Sequence, residues 1–385
     1  MTRNIQRFRD YQFPVQIIQG QDYPTVGKIF ALVNSQGTQL TGAEIHMATI
    51  IPYWKGLSRE LRDYRKELRD HGYDLDLTFL MRSITVVECN VPQIKKLADK
   101  IKKEVEDGTL SKVKLNRLWS ETRTAIGSVI NSLRKNLLLD RTQFVVSKNA
   151  LVPLVYYAAK SGKKPLDKKA MMKLFLVSQL GERYGGAQET VLRRDLRYMS
   201  APNTPVKQGF RKLLDVVVGD TKQYYRALKI RPDDIYGVSS KNVMVLLMYL
   251  VSRKRDASDF GLHDSLKLNQ IQEPLQLHHI FPYDFMMKDD EALRYRKEQD
   301  LSLPDYRAEV NDIANLTFLS QGKNASIGSQ SPWQYLENET TSEMRLAHFI
   351  PEDKDLWKPE NYNGFLEQRR LDLSAAINSL MRSLN

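Results

Sequence analysis

Apolar positions recur at near-helical spacing from Ser111 to Leu139, at Leu115, Leu118, Ile126, Val129, Ile130, Leu133 and Leu137, and predict one long amphipathic helix. The pattern continues through "ALVPLVYYAAKSG", "DKKAMMKLFLVSQLGERYGG", "ETVLRRDLRYM" and "KNVMVLLMYLVSRKR", which read as helices separated by Gly, Pro and Ser breaks. The most apolar stretch, Val243 to Val251, is about half the length of a membrane span and reads as a buried helix. Residues 1 to 107 are mixed. "FPVQIIQ" and "LTFLMRSITVVE" are β-rich, whereas "LSRELRDYRKELRDHG" is almost wholly charged and is expected to face solvent. From Leu266 the character changes. Two short β-type runs, "LQLHHIF" and "ANLTFLS", flank a charged insertion, and a Gly-Lys-Asn turn leads into a polar helical segment. The tail, "FLEQRRLDLSAAINSLMRSLN", puts Leu366, Leu373, Ile377, Leu380 and Leu384 on one face, as a closing helix packed on the body does. The fold expected is α+β, mainly helical and multidomain, divided at 1–110, 111–265 and 266–385.

Composition narrows the function classes. A chain of 385 residues is too long for one ordinary core, and 42% hydrophobic with 9% aromatic residues is a folded, not a disordered, composition. The charged N-terminus "MTRNIQRFRDYQF" has no apolar signal core, and Cys89, being alone, excludes an internal disulfide and a cysteine zinc cluster. A cytoplasmic location, without membrane association, is the expectation. The sequon-like "NLT" and "NAS" at Asn315 and Asn324 would then be unglycosylated and available for other work. Net charge is +12, unevenly spread: residues 1–265 carry 45 Lys+Arg against 27 Asp+Glu, net +18, and residues 266–385 carry 13 against 19, net −6. Either the surface is simply basic, or a polyanion is gripped mainly by the N-terminal two-thirds. "GQDYPTVGK" and "GTQLTGAE" lack phosphate-loop spacing or its Lys-Ser/Thr, so neither supports nucleotide binding.

The acidic segment holds adjacent histidines, His278 and His279, in a chain with six histidines. On a strand they point to opposite faces, so the pair is either an accident of surface composition or a site in which the two rings do different jobs. Metal-assisted phosphodiester hydrolysis needs such a division: a base near neutrality to take a proton from water, and a hard cation to stabilise developing charge. Such a cation needs few protein ligands, and an Asn amide oxygen is an adequate one. Asn315 opens the second β-type run and Asn324 comes nine residues later.

"LHHIFP" followed by "NLTFLSQGKN" resembles the ββα-metal, or HNH, nuclease finger. The resemblance implies His278 and Asn324 as metal ligands, His279 as the general base, Asn315 as the residue that holds the base-bearing loop, and Mg²⁺ or Mn²⁺ as the metal. Lys323, beside Asn324, is a candidate phosphate contact. "IANLTFLS", "PWQYL", "LAHFIP" and "FLEQRRLDL" look like the C-terminal nuclease domain of GmrSD-type modification-dependent restriction endonucleases. "IFALVNSQGTQLTGAEIHMA" and "ERYGGAQETVLRRDL" are similar to upstream parts of that family. The resemblance thus implies a DNA endonuclease acting in bacterial defence against phage or other foreign, including modified, DNA. It divides the chain into the C-terminal half of the family's first domain (1–110), a basic helical domain (111–265) and the nuclease finger (266–385). The family's Asp-Gly-Gln-Gln-Arg signature is absent. Nucleotide use is therefore not expected of this chain alone, and a second chain supplying the missing half is an implied partner. A non-catalytic DNA- or partner-binding subunit and an RNA-directed nuclease are the alternatives.

Other candidates carry plainer readings. His46 and His348 lie in amphipathic segments and read as satisfied structural histidines; His71 and His263 sit beside turns and carry no role. Asn34, Gln36 and Gly37 are either a turn leading to a cap at Thr41 and Glu44 or a ligand site. Asp284 is a solvated carboxylate or a metal ligand, and Arg369 and Arg370 contact DNA or face solvent.

Overall fold

The computed structural model describes Thr25, Ile29 and residues 42–384 except 224, 226, 227, 238–241 and 264. "FPVQIIQ", Asn34, Gln36, Gly37 and Thr41 lie outside the described residues, as does most of "IFALVNSQGTQLTGAEIHMA". Within the described residues there are 17 α-helices and one two-stranded sheet.

The first helices are α1 (Gly42–Ile50), α2 (Leu57–Asp70), α3 (Leu77–Cys89) and α4 (Ile94–Glu106). Two expectations change here. α2 does not lie wholly in solvent: Leu57, Leu61, Tyr64 and Leu68, spaced at helical period, bury one stripe while its charges face out. And "LTFLMRSITVVE" is helix α3, not strand. Phe79 to Val87 are all buried, so the helix carries no polar face to mark its period, and its β-branched Ile84, Thr85, Val86 and Val87 mimic a strand. Its ends are nevertheless capped: Asp76 accepts from Phe79 N at 2.7 Å, and Asn90 takes a left-handed φ of 57°.

The long α5 (Lys112–Leu137) buries every apolar position that its spacing marks and packs on α6 (Leu151–Ser161) and α7 (Lys168–Leu180). α8 (Gln188–Ser200) and α9 (Val206–Thr221) form a hairpin whose backbones meet at Gly209, where an added Cβ would stand 2.2 Å from the Tyr198 carbonyl oxygen. α10 (Val243–Lys254) is buried from Val243 through Arg253.

A polar junction ties this body to the next segment of the chain. Gly72, with φ of +89°, accepts from Thr142 N at 2.9 Å. Arg141 then donates to the carbonyls of Leu268 (2.8 Å), Ile271 (2.9 Å) and Glu273 (3.2 Å). The Gln143 amide pairs with both backbone groups of Leu275, at 2.6 and 3.0 Å. The chain therefore enters β1 (Gln276–His279) at a fixed position. After three short helices, α11 (Tyr283–Lys288), α12 (Asp290–Glu298) and α13 (Leu303–Val310), comes β2 (Leu316–Leu319), antiparallel to β1 with His278 opposite Thr317 and His279 opposite Leu316. α14 (Gln321–Ile327), α15 (Pro332–Glu339), α16 (Ser342–Ala347) and α17 (Tyr362–Arg382) complete the fold. Gly322, Lys323 and Asn324, expected as a turn, are inside α14, because the Ser320 side chain caps it by accepting from Lys323 N at 3.1 Å.

Two apolar cores result. The larger runs from Ala43 through α10 and takes in Leu316 and Phe318 from one face of the sheet. The smaller gathers Ile280, Phe281, Tyr306, Tyr335 and Trp357 on the other side. α17 spans both, with Tyr362, Phe365 and Leu366 in the small core and Leu373, Ile377 and Leu380 in the large one. No helix of the described residues is long and apolar enough to cross a membrane.

Candidate active site

Strand alternation separates the two histidines as the pleat requires. His278 is 2% exposed, faces α14 and α15, and lies with Nδ1 2.8 Å from Asn324 Oδ1 and Nε2 3.3 Å from the Tyr335 hydroxyl. Tyr335 donates its proton to the Ile280 carbonyl at 2.6 Å, so its oxygen is left to accept from His278 Nε2–H. Burial pushes His278 down to about 4, which makes the ring neutral and leaves a lone pair on Nδ1. Nδ1 and Asn324 Oδ1 then face each other as two acceptors. A turned amide resolves this, and so does a cation shared between them. Ligands adjacent on an octahedral ion with bonds of about 2.0–2.1 Å stand about 3 Å apart, close to the separation found.

His279 is half-buried on the opposite face, with Nε2 3.0 Å from Asn311 Oδ1. The Asn311 amide orientation is fixed, since its Nδ2 donates to the Arg307 carbonyl at 2.7 Å. His279 Nε2 therefore carries the proton and Nδ1 the lone pair. Burial lowers the pKa of this ring, with the Asn311 hydrogen bond opposing, so it is neutral at pH 7. A neutral, oriented imidazole is what a general base requires.

Asn315 is fully buried and works on the backbone. Its Oδ1 accepts from Phe281 N at 2.8 Å, and its Nδ2 donates to the Phe281 and Val310 carbonyls at 3.0 and 2.8 Å. It staples the loop after His279 to the end of α13, while the ring itself is held by Asn311. Behind it lies Arg369. Both readings of this arginine, DNA contact and solvent exposure, are overturned: the side chain is fully buried and donates to the carbonyls of Ala314, Leu316 (3.1 Å), His348 (2.9 Å) and Phe349 (2.9 Å). It grips the backbone on either side of Asn315. Arg370 pairs with buried Asp312 at 3.3 Å, so it too is engaged with the protein.

The remaining candidates separate from the centre. Lys323 Nζ lies 3.2 Å from Glu339, so its charge is already partnered. Asp284 is exposed in the first turn of α11 and pairs with Lys288 at 3.2 Å. His348 is a satisfied core histidine: Nε2 donates to the Ser258 carbonyl at 2.7 Å and Nδ1 accepts from Thr317 Oγ1 at 2.6 Å. His46 is half-buried, near Asp99 and Lys95.

Donor chemistry decides which metal this centre suits. Among the described residues no three His, Cys, Asp or Glu side chains converge on a metal position, so the donor set is one imidazole and one amide oxygen. Two neutral ligands fit a hard divalent ion whose other positions go to water and substrate oxygens. They do not make the closed four-ligand set of a structural zinc. Asn311 and Tyr335 do not stand out in the sequence; the one local sign is a second Asn four residues before Asn315 in "NDIAN". No family model, curated protein or solved structure matches this chain.

Proposed function

We propose that the chain is a divalent-metal-dependent endonuclease that hydrolyses DNA phosphodiester bonds. The observation that carries the reading is the paired geometry on β1: His278 meets Asn324 at 2.8 Å on one face, and on the other His279, kept neutral by burial, is oriented by Asn311 at 3.0 Å. His279 Nδ1 takes a proton from the attacking water as the new P–O bond forms, and the bond to the 3′-oxygen breaks. Asn311 keeps the ring in the tautomer that presents this lone pair, and Asn315 keeps the loop after the ring in place. His278 and Asn324 would hold Mg²⁺ or Mn²⁺, which when bound supplies Lewis-acid stabilisation of the charge on the leaving oxygen. The sequence resemblance to GmrSD-type nucleases supports a role in bacterial defence against phage or foreign DNA.

The burial of His278, with Tyr335 on its other nitrogen, favours a second reading, in which the finger is a non-catalytic scaffold in a DNA- or partner-binding subunit. A supercoiled-plasmid assay with Mg²⁺ or Mn²⁺ separates them. The nuclease reading expects relaxed or linear product, lost in EDTA, with the rate falling roughly 10²- to 10⁴-fold in His279→Ala, the usual range for a general base. Undiminished cutting by His279→Ala removes the assigned base. No cutting under either metal favours the scaffold.

A further inference from the structure

We propose that the cleft between α8 and α9 docks the phosphodiester backbone of duplex DNA, an inference that rests on the nuclease reading and deepens it. The segment bearing the histidines is net −6, so it repels the polyanion it would cut, and the compensating grip must come from the body, which is net +18. The lining of the clefts shows where. Of four clefts among the described residues, the one of about 920 Å³ beside the junction has Asp70, Asp74, Asp140 and Glu273 in its walls. One of about 640 Å³ has Asp99 and Glu189, and one of about 230 Å³ has Glu309. The α8–α9 cleft, about 430 Å³, is lined by Arg194, Arg197 and Lys212 with Tyr198, Thr204 and Gln208, and by no carboxylate. It is the one of these four clefts whose wall chemistry is that of a phosphate site: cations surrounded by hydroxyl and amide donors.

The cleft is also built rather than incidental. Gly209 brings the helices to backbone contact at its floor. Asp195, next to Arg194, is turned fully inward, where Arg183 grips it with two 2.7 Å bonds and Tyr184 donates to it at 2.8 Å. Arg183 also reaches Asp220 on α9 at 2.7 Å, which ties the two helices together. Because Asp195 is committed below the surface, Arg194 keeps only a 3.6 Å approach to it and leaves its side chain 56% exposed. Arg193 and Lys207 are exposed nearby in the same hairpin. The two helices that carry these cations are thus fixed relative to each other before any ligand docks.

The test is fluorescence anisotropy of the full chain with a labelled duplex DNA, in EDTA to prevent turnover, across a salt series. The triple variant Arg194→Gln, Arg197→Gln, Lys212→Gln is expected to weaken binding at least tenfold near 0.1 M salt and to lower the log–log salt slope by about 2 to 3, as three lost phosphate contacts require. Arg59→Gln, Arg62→Gln, Lys66→Gln on the solvent face of α2 removes the same charge and should change neither much; Lys212→Glu alone should show the same direction of loss if the triple variant folds poorly. A loss no greater than that of the α2 control overturns the cleft, and equal or tighter binding of duplex RNA with the same loss overturns its assignment to DNA. Wild-type chain that binds through the cleft but never nicks plasmid leaves this surface standing and removes the nuclease reading. Nicking with binding unaffected in the triple variant removes the surface alone.

Discussion

In α10, at the centre of the helical body, Val243 to Val251 are buried as an uninterrupted apolar run; around β1 and β2 the same degree of burial is reached by Arg369, Asn315, Asp312, Thr317, His278 and His348, each 0–2% exposed. Both regions have apolar cores, but around the sheet, at the candidate site, buried polar side chains also bind backbone carbonyls and amides directly, as Arg369 and Asn315 do. Such bonds contribute modestly to net stability when intact but are costly to break, because the abandoned partner stays desolvated. They also fix positions more sharply than apolar contacts do. A segment that must hold two imidazoles in defined tautomers is well served by that exchange.

Removing one member of each kind gives the largest expected effect. Arg369→Leu leaves four buried carbonyls without a donor and should cost about 3–5 kcal/mol, the range for breaking a buried network. Leu133→Ala in α5 should cost a comparable 2–5 kcal/mol through a cavity. The two losses should differ in their consequences: in urea unfolding, Arg369→Leu should release the strand segment first and abolish any nicking, whereas Leu133→Ala should lower stability without selectively uncoupling the site. If Arg369→Leu is neutral, the buried arginine is not the clamp that its contacts imply.

Next in size is pH. His348 is buried and its pKa is lowered from 6.5 to about 4, chiefly by desolvation, so the folded chain stays neutral there while the unfolded chain takes up a proton below pH 6.5. The unfolded state binds more protons across this window. Stability from this residue is therefore complete above pH 6.5 and falls as pH drops towards 4, by roughly 3 kcal/mol in all. His348→Gln should reduce stability at pH 7 yet flatten the loss between pH 6.5 and 4 relative to the parent chain. A parallel pH profile for the two proteins would falsify this account. The smallest effect is expected at Gly209 in the body, where an added methyl meets a backbone carbonyl that no rotamer relieves: Gly209→Ala should cost about 1–3 kcal/mol, independent of pH between 5 and 8.

The same contrast explains what the sequence makes legible. Packing leaves a local trace, so the spacing of Leu115 to Leu137 marks α5 and its buried face directly. That trace vanishes when a helix is enclosed on all sides, which is why α3 reads as strand. At the site, His278, His279, Asn315 and Asn324 stand out because their chemistry is unusual for a β-rich run, and the antiparallel pairing of the two runs brings them near one another. Their supports leave no such sign. Tyr335 lies 57 residues from His278, and Arg369 53 from Leu316; each looks in sequence like an ordinary aromatic or surface cation, and only the folded chain joins them to the site. Asn311 comes nearest to being readable, four residues from Asn315, but its role depends on where α13 ends.

The central claim is that His278 and Asn324 form one half of a metal centre and His279 the base beside it. Anomalous diffraction from crystals soaked in Mn²⁺ tests it most directly. The account predicts a peak shared by His278 Nδ1 and Asn324 Oδ1, appearing at roughly millimolar Mn²⁺ because both donors are neutral, and absent in Asn324→Ala. No peak there at saturating Mn²⁺, or one held by other side chains, would contradict it.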